Sequence, residues 1–505
     1  MMETTGKDRG IGRVLFLYPP TRIGKELLNR CMPPLGAPYL AAMVREDYDV
    51  GLLDATSEGF DRVEELPGGF VQGGLSLDEV ERRVLAFRPD FVAITCLFSS
   101  NFPVVVELAR RIKGIDPAIR VGVGGTHTNY LWREAMTRSP HIDFIGLGEG
   151  ELVIRDLLRA LNGAGPVAEV DGLVWRKADG EPVANPKEKV VEELDSLPFP
   201  ARDLIDWELY RGSRFHHLYT REELTTSLLT SRGCPAKCIF CSSARFWGHR
   251  FRARSPENVV AEIEEVVEKY GIKEFSIEDD NLTLYKKRAK ALFRLILDRG
   301  LDVKFTTPNG IALWSLDEEL LELMKAAGVY HLTLAIESGD QQVLNEIVKK
   351  PLDLEKARRL ARKIHDLGFE THSFFIIGFP GETIPQMKKT IRYAHSLPVD
   401  SAAIFVANPL PGSELHEMAE KNGWLPPDFR FEDMTYSRGC LQPPGWRREE
   451  VERLANLALF KYHVKQALRH PIKTVRRILA DPGTAANLLR KGLRRVGQSF
   501  SRRKS

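Results

Sequence analysis

Apolar residues in this chain fall into short blocks, and the rhythm of those blocks changes along it. In the first third they stand at 14–17, 50–53, 91–95, 120–123 and 144–147, while stretches between them, such as 77–87 and 102–113, repeat apolar positions with helical period. Short buried strands alternating with helices predict a parallel sheet covered on both faces. The fold class expected is therefore α/β, with an N-terminal doubly wound parallel sheet over residues 1–164. Open sheets of this kind bind ligands beyond the carboxyl ends of their strands. Those ends are rich here in glycine and small polar residues: Tyr18-Pro19-Pro20, Asp54-Ala55-Thr56, Thr95 with Ser99, Gly124-Gly125-Thr126-His127, and Gly146 through Gly148 and Glu149 to Glu151.

Residues 165–222 break the rhythm. Val170 to Asn185 reads as a hairpin turning at Asp179-Gly180, and a proline-punctuated connector follows from Leu194 to Asp206. A second series then occupies 223–425. Strands are predicted at 226–230, 275–278, 303–306, 332–336, 370–377 and 402–407, with helices at 256–270, 286–299, 316–327, 354–367 and 384–397. Six strand-then-helix repeats joined right-handed predict a partial (β/α)6 barrel, whose chemistry belongs at the carboxyl ends of its strands. After Pro426 the strand signal stops. Residues 426–505 read as a C-terminal helical extension, with a helix at 449–470 and short basic helices at 471–480 and 484–500.

Composition narrows the class without changing it. The 505 residues are 43% apolar and 28% charged, which excludes a disordered or collagen-like chain. No apolar run approaches the roughly 18–20 residues of a membrane span. The first residues lack the apolar core of a secretory leader, so a cytoplasmic protein is expected. Six cysteines, three of them crowded together, suit a reducing compartment and a metal site better than disulfides. Charge is uneven: residues 461–505 hold thirteen Lys and Arg against Asp481 alone, in a chain of net charge +3. On 484–500, Leu489, Leu493, Val496 and Phe500 share a face beside Arg490, Lys491, Arg494 and Arg495. That pattern predicts peripheral contact with anionic lipid at the inner membrane face. A helix packed on the barrel and an RNA backbone contact are the competing readings.

The sharpest chemical feature is Gly233-Cys234-Pro-Ala-Lys-Cys238-Ile-Phe240-Cys241, directly after the first barrel strand. Three thiolates so close together are soft ligands directed at one metal centre. A tetrahedral zinc site needs a fourth ligand, which His249 or Cys440 would have to supply. A four-iron cluster held by three cysteines leaves one iron open for a substrate, and a loop at the mouth of the first barrel strand suits such a reactive centre. Later strand ends are polar too: Glu278-Asp279-Asp280-Asn281, Glu337-Ser338-Gly339, Gly378-Phe379-Pro380-Gly381-Glu382 and Asn408-Pro409.

At these residues the chain resembles the radical S-adenosylmethionine superfamily, which carries Cys-x-x-x-Cys-x-aromatic-Cys at this location. The resemblance implies that Cys234, Cys238 and Cys241 hold a four-iron, four-sulfur cluster, with Phe240 as the aromatic. The open iron would chelate S-adenosylmethionine, and an electron from a flavodoxin or ferredoxin would release a 5′-deoxyadenosyl radical. Glu278, Asp280 and Asn281 are expected around the ammonium and ribose of that cofactor, Glu337 and Ser338 at the ribose, and Gly378, Gly381 and Pro409 on the adenine side. Phe374 stands where the family's adenine element has its first glycine.

The first sheet has neither Gly-x-Gly-x-x-Gly nor Gly-x-x-x-x-Gly-Lys-[Ser/Thr], which disfavours dinucleotides and nucleoside triphosphates. A flavin, cobalamin or a plain scaffold stay open on the residues alone. The order of sheet, hairpin connector and barrel, to about residue 425, is similar to the cobalamin-binding branch of the superfamily. That resemblance places Thr95, Ser99, Gly124, Gly125, Thr126, His127, Gly148 and Glu149 around cobalamin. The Asp-x-His-x-x-Gly motif is missing, so a cobalt ligand from that motif is not expected. Cys31 is read as a small buried residue rather than one facing the cobalt, as is Cys96. Cys440, Tyr330 and His331 are assigned structural roles rather than substrate contacts.

The resemblance implies a C-methyltransferase acting on an unactivated carbon of a small-molecule or lipid-like substrate, with two S-adenosylmethionines used per turnover. An oxidative or ring-forming reaction of the anaerobic tetrapyrrole cyclase type is the alternative. Transfer RNA methylthiolation lacks its further N-terminal cysteines and C-terminal β-barrel. A non-enzymatic cobalamin-binding regulator would need no cluster loop.

Overall fold

The computed structural model describes residues 10–25, 31–212, 220–435 and 438–469. The basic helices expected at 471–480 and 484–500, with their lipid-facing stripe, lie outside the described residues. Strands β1 (Arg13–Tyr18), β2 (Asp49–Asp54), β3 (Phe91–Thr95), β4 (Arg120–Gly124) and β5 (Phe144–Gly146) run parallel. The expected hairpin, β6 (Leu173–Arg176) and β7 (Pro182–Ala184), does not stand apart as connector but pairs antiparallel with β5. The sheet order is β7-β6-β5-β4-β3-β1-β2.

Side chains alternate across this sheet as a two-residue period requires. Leu15, Leu17, Val92, Ile94, Val121 and Val123 face one core, under helices Leu77–Phe87 and Phe102–Ile115. Val14, Phe16, Phe91 and Phe144 face the other, under helices Gly36–Val44 and Gly150–Leu161. Helix Gly36–Val44 has Pro38 in its first turn, where the missing N–H leaves no bond unmade. The chain crosses from β2 over β1 to reach β3, so the strand order reverses beside β1. A crevice therefore opens beyond Tyr18 and Thr95, at the topological switch point.

The second half is a six-stranded parallel sheet in sequence order: β8 (Thr225–Leu228), β9 (Glu274–Ile277), β10 (Lys304–Ile311), β11 (Val329–Glu337), β12 (Glu370–Ile377) and β13 (Ser401–Val406). Helices Pro256–Tyr270, Lys286–Asp298, Glu318–Ala326, Leu354–Asp366 and Ile384–Ser396 connect them, as the spacing predicts. Side chains of Ser255, Asp317 and Asp353 cap three of these helices by accepting from backbone N–H groups of the first turn. β10 and β11 run longer than expected because their pairing shifts register between Thr307 and Ile311, and such an irregularity leaves residues unpaired without ending the strand.

The connector is packed between the halves rather than slack. Ala201 donates its N–H to the Pro38 carbonyl at 3.0 Å, and buried Arg202 pairs with Glu262 at 2.6 Å. Helix Arg448–Arg469 closes the barrel edge with Val451, Ala455, Ala458 and Tyr462, the last donating its hydroxyl to the Val399 carbonyl at 3.0 Å. Among the described residues no helix is long and apolar enough to cross a membrane.

Candidate functional site

Beyond the ends of β1, β3 and β4, a cavity of about 530 Å³ runs from the first sheet to the mouth of the barrel. Tyr18, Thr95, Gly124, Gly125, Thr126 and Gly148 line its sheet side, and Leu229, Ser242, Ser243, Phe246, Trp247, Glu278 and Asp280 its barrel side. At Gly124 a Cβ would meet nothing within 4 Å, so bare backbone forms the wall. Gly125 sits at φ 122°, and a Cβ there would lie 2.7 Å from the Cys96 carbonyl carbon and oxygen. Backbone without side chains, facing a largely apolar space, fits the close approach of a broad planar ring. The cavity therefore suits the corrin expected from the sequence.

Two residues expected beside that group stand behind the wall instead. His127 Nδ1 and the Ser99 hydroxyl are 2.9 Å apart, and the imidazole lies 4.5 Å from the Phe102 ring, so together they brace the loop. Burial lowers the pKa of His127 to about 4, which keeps it neutral at physiological pH. Neither residue lines the cavity. Glu149 does line it, yet its carboxylate is taken up by Arg232 at 2.9 Å and by Arg252. Burial opposes its ionisation, but these arginines hold its pKa below the ordinary carboxylate value. Cys31 is buried, hydrogen bonded to Ser57, and outside the cavity lining. Cys96 is fully buried.

The cysteine loop is pinned by its backbone. Ile239 donates to the Val348 carbonyl at 3.2 Å, and its own carbonyl accepts from Leu415 at 2.8 Å. Phe240 packs 6.0 Å from Phe379. The Asn281 amide donates to the Cys234 sulfur at 3.7 Å, and the Ser243 N–H donates to the Cys241 sulfur at 3.4 Å. Burial pushes the Cys238 thiol up to about 12 and the Cys241 thiol to about 11, so metal loading must displace protons. Among the described residues, no three His, Cys, Asp or Glu side chains converge closely enough to hold a single ion. The three thiols of this one loop are free, and donors are already aimed at two of them, which is the kind of support a metal-ligating sulfur needs.

Around this loop the strand ends divide into groups that face the site and groups that hold the fold. Glu337 lies at φ 68° and pairs with Lys350 at 2.9 Å, both buried. Burial works against the charge of Lys350, but Glu337 and the nearby thiols of Cys238 and Cys241 keep its pKa above the ordinary lysine value. Asp280 accepts from the Ser243 hydroxyl at 2.6 Å. Among the described residues one carboxylate oxygen of Glu278 has no partner, and burial raises its pKa to about 7. Ser338, expected at the ribose, turns its hydroxyl to that of Thr390, 3.0 Å away, and so ties β11 to helix Ile384–Ser396. Gly378 makes room for another neighbour as well: a Cβ there would come within 2.8 Å of Val451 on the last helix. Among the described residues a Cβ at Gly381 would meet only Ile347, and Pro409 follows Asn408, whose side-chain amide oxygen accepts from the Cys440 N–H at 3.2 Å. Tyr330 donates to the Glu274 carboxylate at 2.5 Å, a structural contact.

Sequence reasoning did not single out Arg232, Tyr39, Trp247 or Lys350. Arg232 stands just past the strand predicted at 226–230 and directly before Gly233-Cys234, and a charge at that position is the signal by which it could have been found. The others depend on which elements meet in space.

Residues 25–158 match the family model of the B12 binding domain, and residues 228–394 that of the Radical SAM superfamily. The cytidylyl-2-hydroxyethylphosphonate methyltransferase of Streptomyces wedmorensis is 36% identical over 485 residues, covering 89% of both chains. An uncharacterised methyltransferase of Pyrococcus horikoshii is 31% identical across 82% of this chain and 84% of its own. The anaerobic magnesium-protoporphyrin IX monomethyl ester cyclase of Rubrivivax gelatinosus is 28% identical across 87% of this chain and 75% of its own. The structure of the radical S-adenosylmethionine methyltransferase TsrM from Kitasatospora setae, with cobalamin and a [4Fe-4S] cluster bound, matches in fold with a TM-score of 0.67. That match covers 90% of this chain and 89% of TsrM at 18% identity.

Proposed function

The chain belongs to the cobalamin-binding branch of the radical S-adenosylmethionine superfamily, and from that premise we propose that it transfers a methyl group to an unactivated carbon of a small-molecule substrate. One observation carries the reading: a single cavity takes its walls from the strand ends of the first sheet and from the mouth of the barrel. When bound, the cluster with S-adenosylmethionine supplies hydrogen abstraction from carbon, and cobalamin supplies the methyl group.

The protein's own residues do the holding and shielding. Cys234, Cys238 and Cys241 are the ligands for the cluster, and Asn281 orients the first of them through its amide. The buried ammonium of Lys350, paired with Glu337, also favours ionisation of the Cys238 and Cys241 thiols nearby. Gly124 admits the corrin and Gly125 lets its loop close on the Cys96 backbone, while Leu229, Phe246 and Trp247 keep water from the reacting carbon. Glu278 presents a carboxyl that changes protonation near neutral pH, suited to hold a hydroxyl or amine of the substrate. A flavodoxin- or ferredoxin-type protein is the electron donor this chemistry calls for.

The test is turnover of protein reconstituted with iron, sulfide and hydroxocobalamin, using methyl-labelled S-adenosylmethionine. Label in the product together with released 5′-deoxyadenosine is the expected result. An oxidised or cyclised product free of label would instead favour the second reading, which the likeness to the anaerobic cyclase supports. Absence of both iron–sulfur absorbance and 5′-deoxyadenosine would refute both.

A further inference from the structure

Where the two halves meet, four charges are buried together. Arg232 of the barrel half donates to Glu149 at 2.9 Å and to Glu151 at 2.5 Å, and Arg252 donates to Glu149. None of the four side chains is more than 7% exposed. Arg252 also donates to the Val191 carbonyl at 2.6 Å and to the Trp247 carbonyl at 3.1 Å. The quartet is electrically balanced, but burying such charges is costly, and apolar residues in their place are often as stable or more so. Stability alone therefore does not account for it.

Its position does. Arg232 is bonded to Gly233, which precedes Cys234. Gly233 sits at φ 85°, and a Cβ there would lie 2.4 Å from the Arg250 carbonyl oxygen. The backbone of Arg232 is paired with that of Arg252, whose guanidinium grips the same Glu149, so the two arginines and the approach to the first cluster ligand share one short ladder. On the other side, Glu149 follows Gly148 at the cap of helix Gly150–Leu161 and Glu151 stands in its first turn, both lining the sheet end of the cavity. The guanidinium also lies 5.0 Å from the Trp247 ring and 5.9 Å from that of Tyr39, two further cavity walls.

We propose that Arg232 is a positioning residue that couples the two cofactor loops, so that cobalamin binds more tightly when the cluster is in place, and the reverse. Coupling between binding sites is reciprocal by thermodynamic necessity. The inference rests on the functional reading above.

Binding of hydroxocobalamin to the full-length protein, cluster-free and cluster-loaded, tests it by absorbance titration. The wild-type dissociation constant is expected to fall at least about fivefold on cluster loading. In Arg232→Lys, which keeps the charge but loses the two-pronged donor, the ratio is expected to fall to within about twofold of one. Glu151→Gln, which leaves the contact to Glu149 intact, should reduce it as well, and it carries the test if Arg232→Lys fails to fold. Iron retained against a chelator, with and without hydroxocobalamin, reads the same coupling from the other side. A wild-type ratio of one, or a ratio preserved in the folded variants, overturns the proposal and leaves the functional reading standing. No cobalamin uptake in either state overturns both.

Discussion

The two ends of the cavity are built by opposite means. At the sheet end the wall is backbone: Gly124 and Gly125 present no side chain, and the loop behind them is held by a neutral pair, His127 and Ser99. At the barrel end the wall is made of side chains, among them Glu278 and the Asp280 that accepts from Ser243, and the cysteine loop leads into it at Ser242. A large preformed ligand needs room and apolar surface, which omission of side chains provides. A metal cluster needs ligands and compensated charge, which only side chains provide. Substitutions should therefore hurt the sheet end by adding atoms and the barrel end by removing them.

Cys238→Ala should have the largest effect. It is expected to abolish turnover and most of the bound iron, while hydroxocobalamin still binds with the weaker affinity of the cluster-free protein; iron analysis and absorbance titration check this. Gly124→Leu is the mirror experiment. Its side chain would enter open space in the cavity, so hydroxocobalamin affinity should drop at least about tenfold while the melting temperature and cluster content hold. If that variant binds cobalamin normally, the contrast between the two ends is lost.

A third effect is set by pH. Burial raises the Glu278 carboxyl from 4.5 to about 7, so the folded protein holds this proton more tightly than the unfolded chain. Below about pH 4.5 the group has no influence on stability, and as pH climbs from there through about 7 the folded state progressively loses stability. Glu278→Gln carries no charge, so its melting temperature should rise above that of the wild type through this window. The gain expected is about 1–2 kcal/mol at pH 8, after allowance for the partial exposure of the group. Equal pH profiles for the two proteins would contradict the burial of that carboxyl. The smallest effect is expected for Ser338→Ala, which removes one buried hydrogen bond to Thr390. It should cost about 1 kcal/mol of stability and leave the affinity for S-adenosylmethionine unchanged. A tenfold loss of that affinity would instead put the hydroxyl at the ribose.

Much of the architecture was legible because strand and helix periods are local. The five parallel strands of the first sheet and the six of the barrel fall within a few residues of the apolar blocks that announce them. The hairpin was legible as a hairpin but not as the edge of the first sheet, since Leu173 and Val174 pair with Gly146 and Ile145 only once the chain has folded back. The small antiparallel sheet of Thr21–Gly24, Val63–Leu66 and Phe70–Gly73 carries no alternation strong enough to announce it. In the site, the cysteine loop was legible by spacing, while Gly124, Gly125 and Glu278 were named by their places at strand ends and by the resemblance, and all three line the cavity. Ser99, His127 and Ser338 were named by position in a motif, and their side chains turn to Phe102, to each other and to Thr390.

The sequence by itself determined which chemistry the chain can support. Three thiols within eight residues after a strand, and glycines at strand ends, are properties of spacing and residue type, and no packing arrangement changes them. Tertiary structure decided how those parts meet: the shared cavity, the Glu337–Lys350 pair beside the thiols, and the Arg232 quartet that joins the halves. These depend on residues far apart in the chain, and a buried charge reveals its partner only when both have left water.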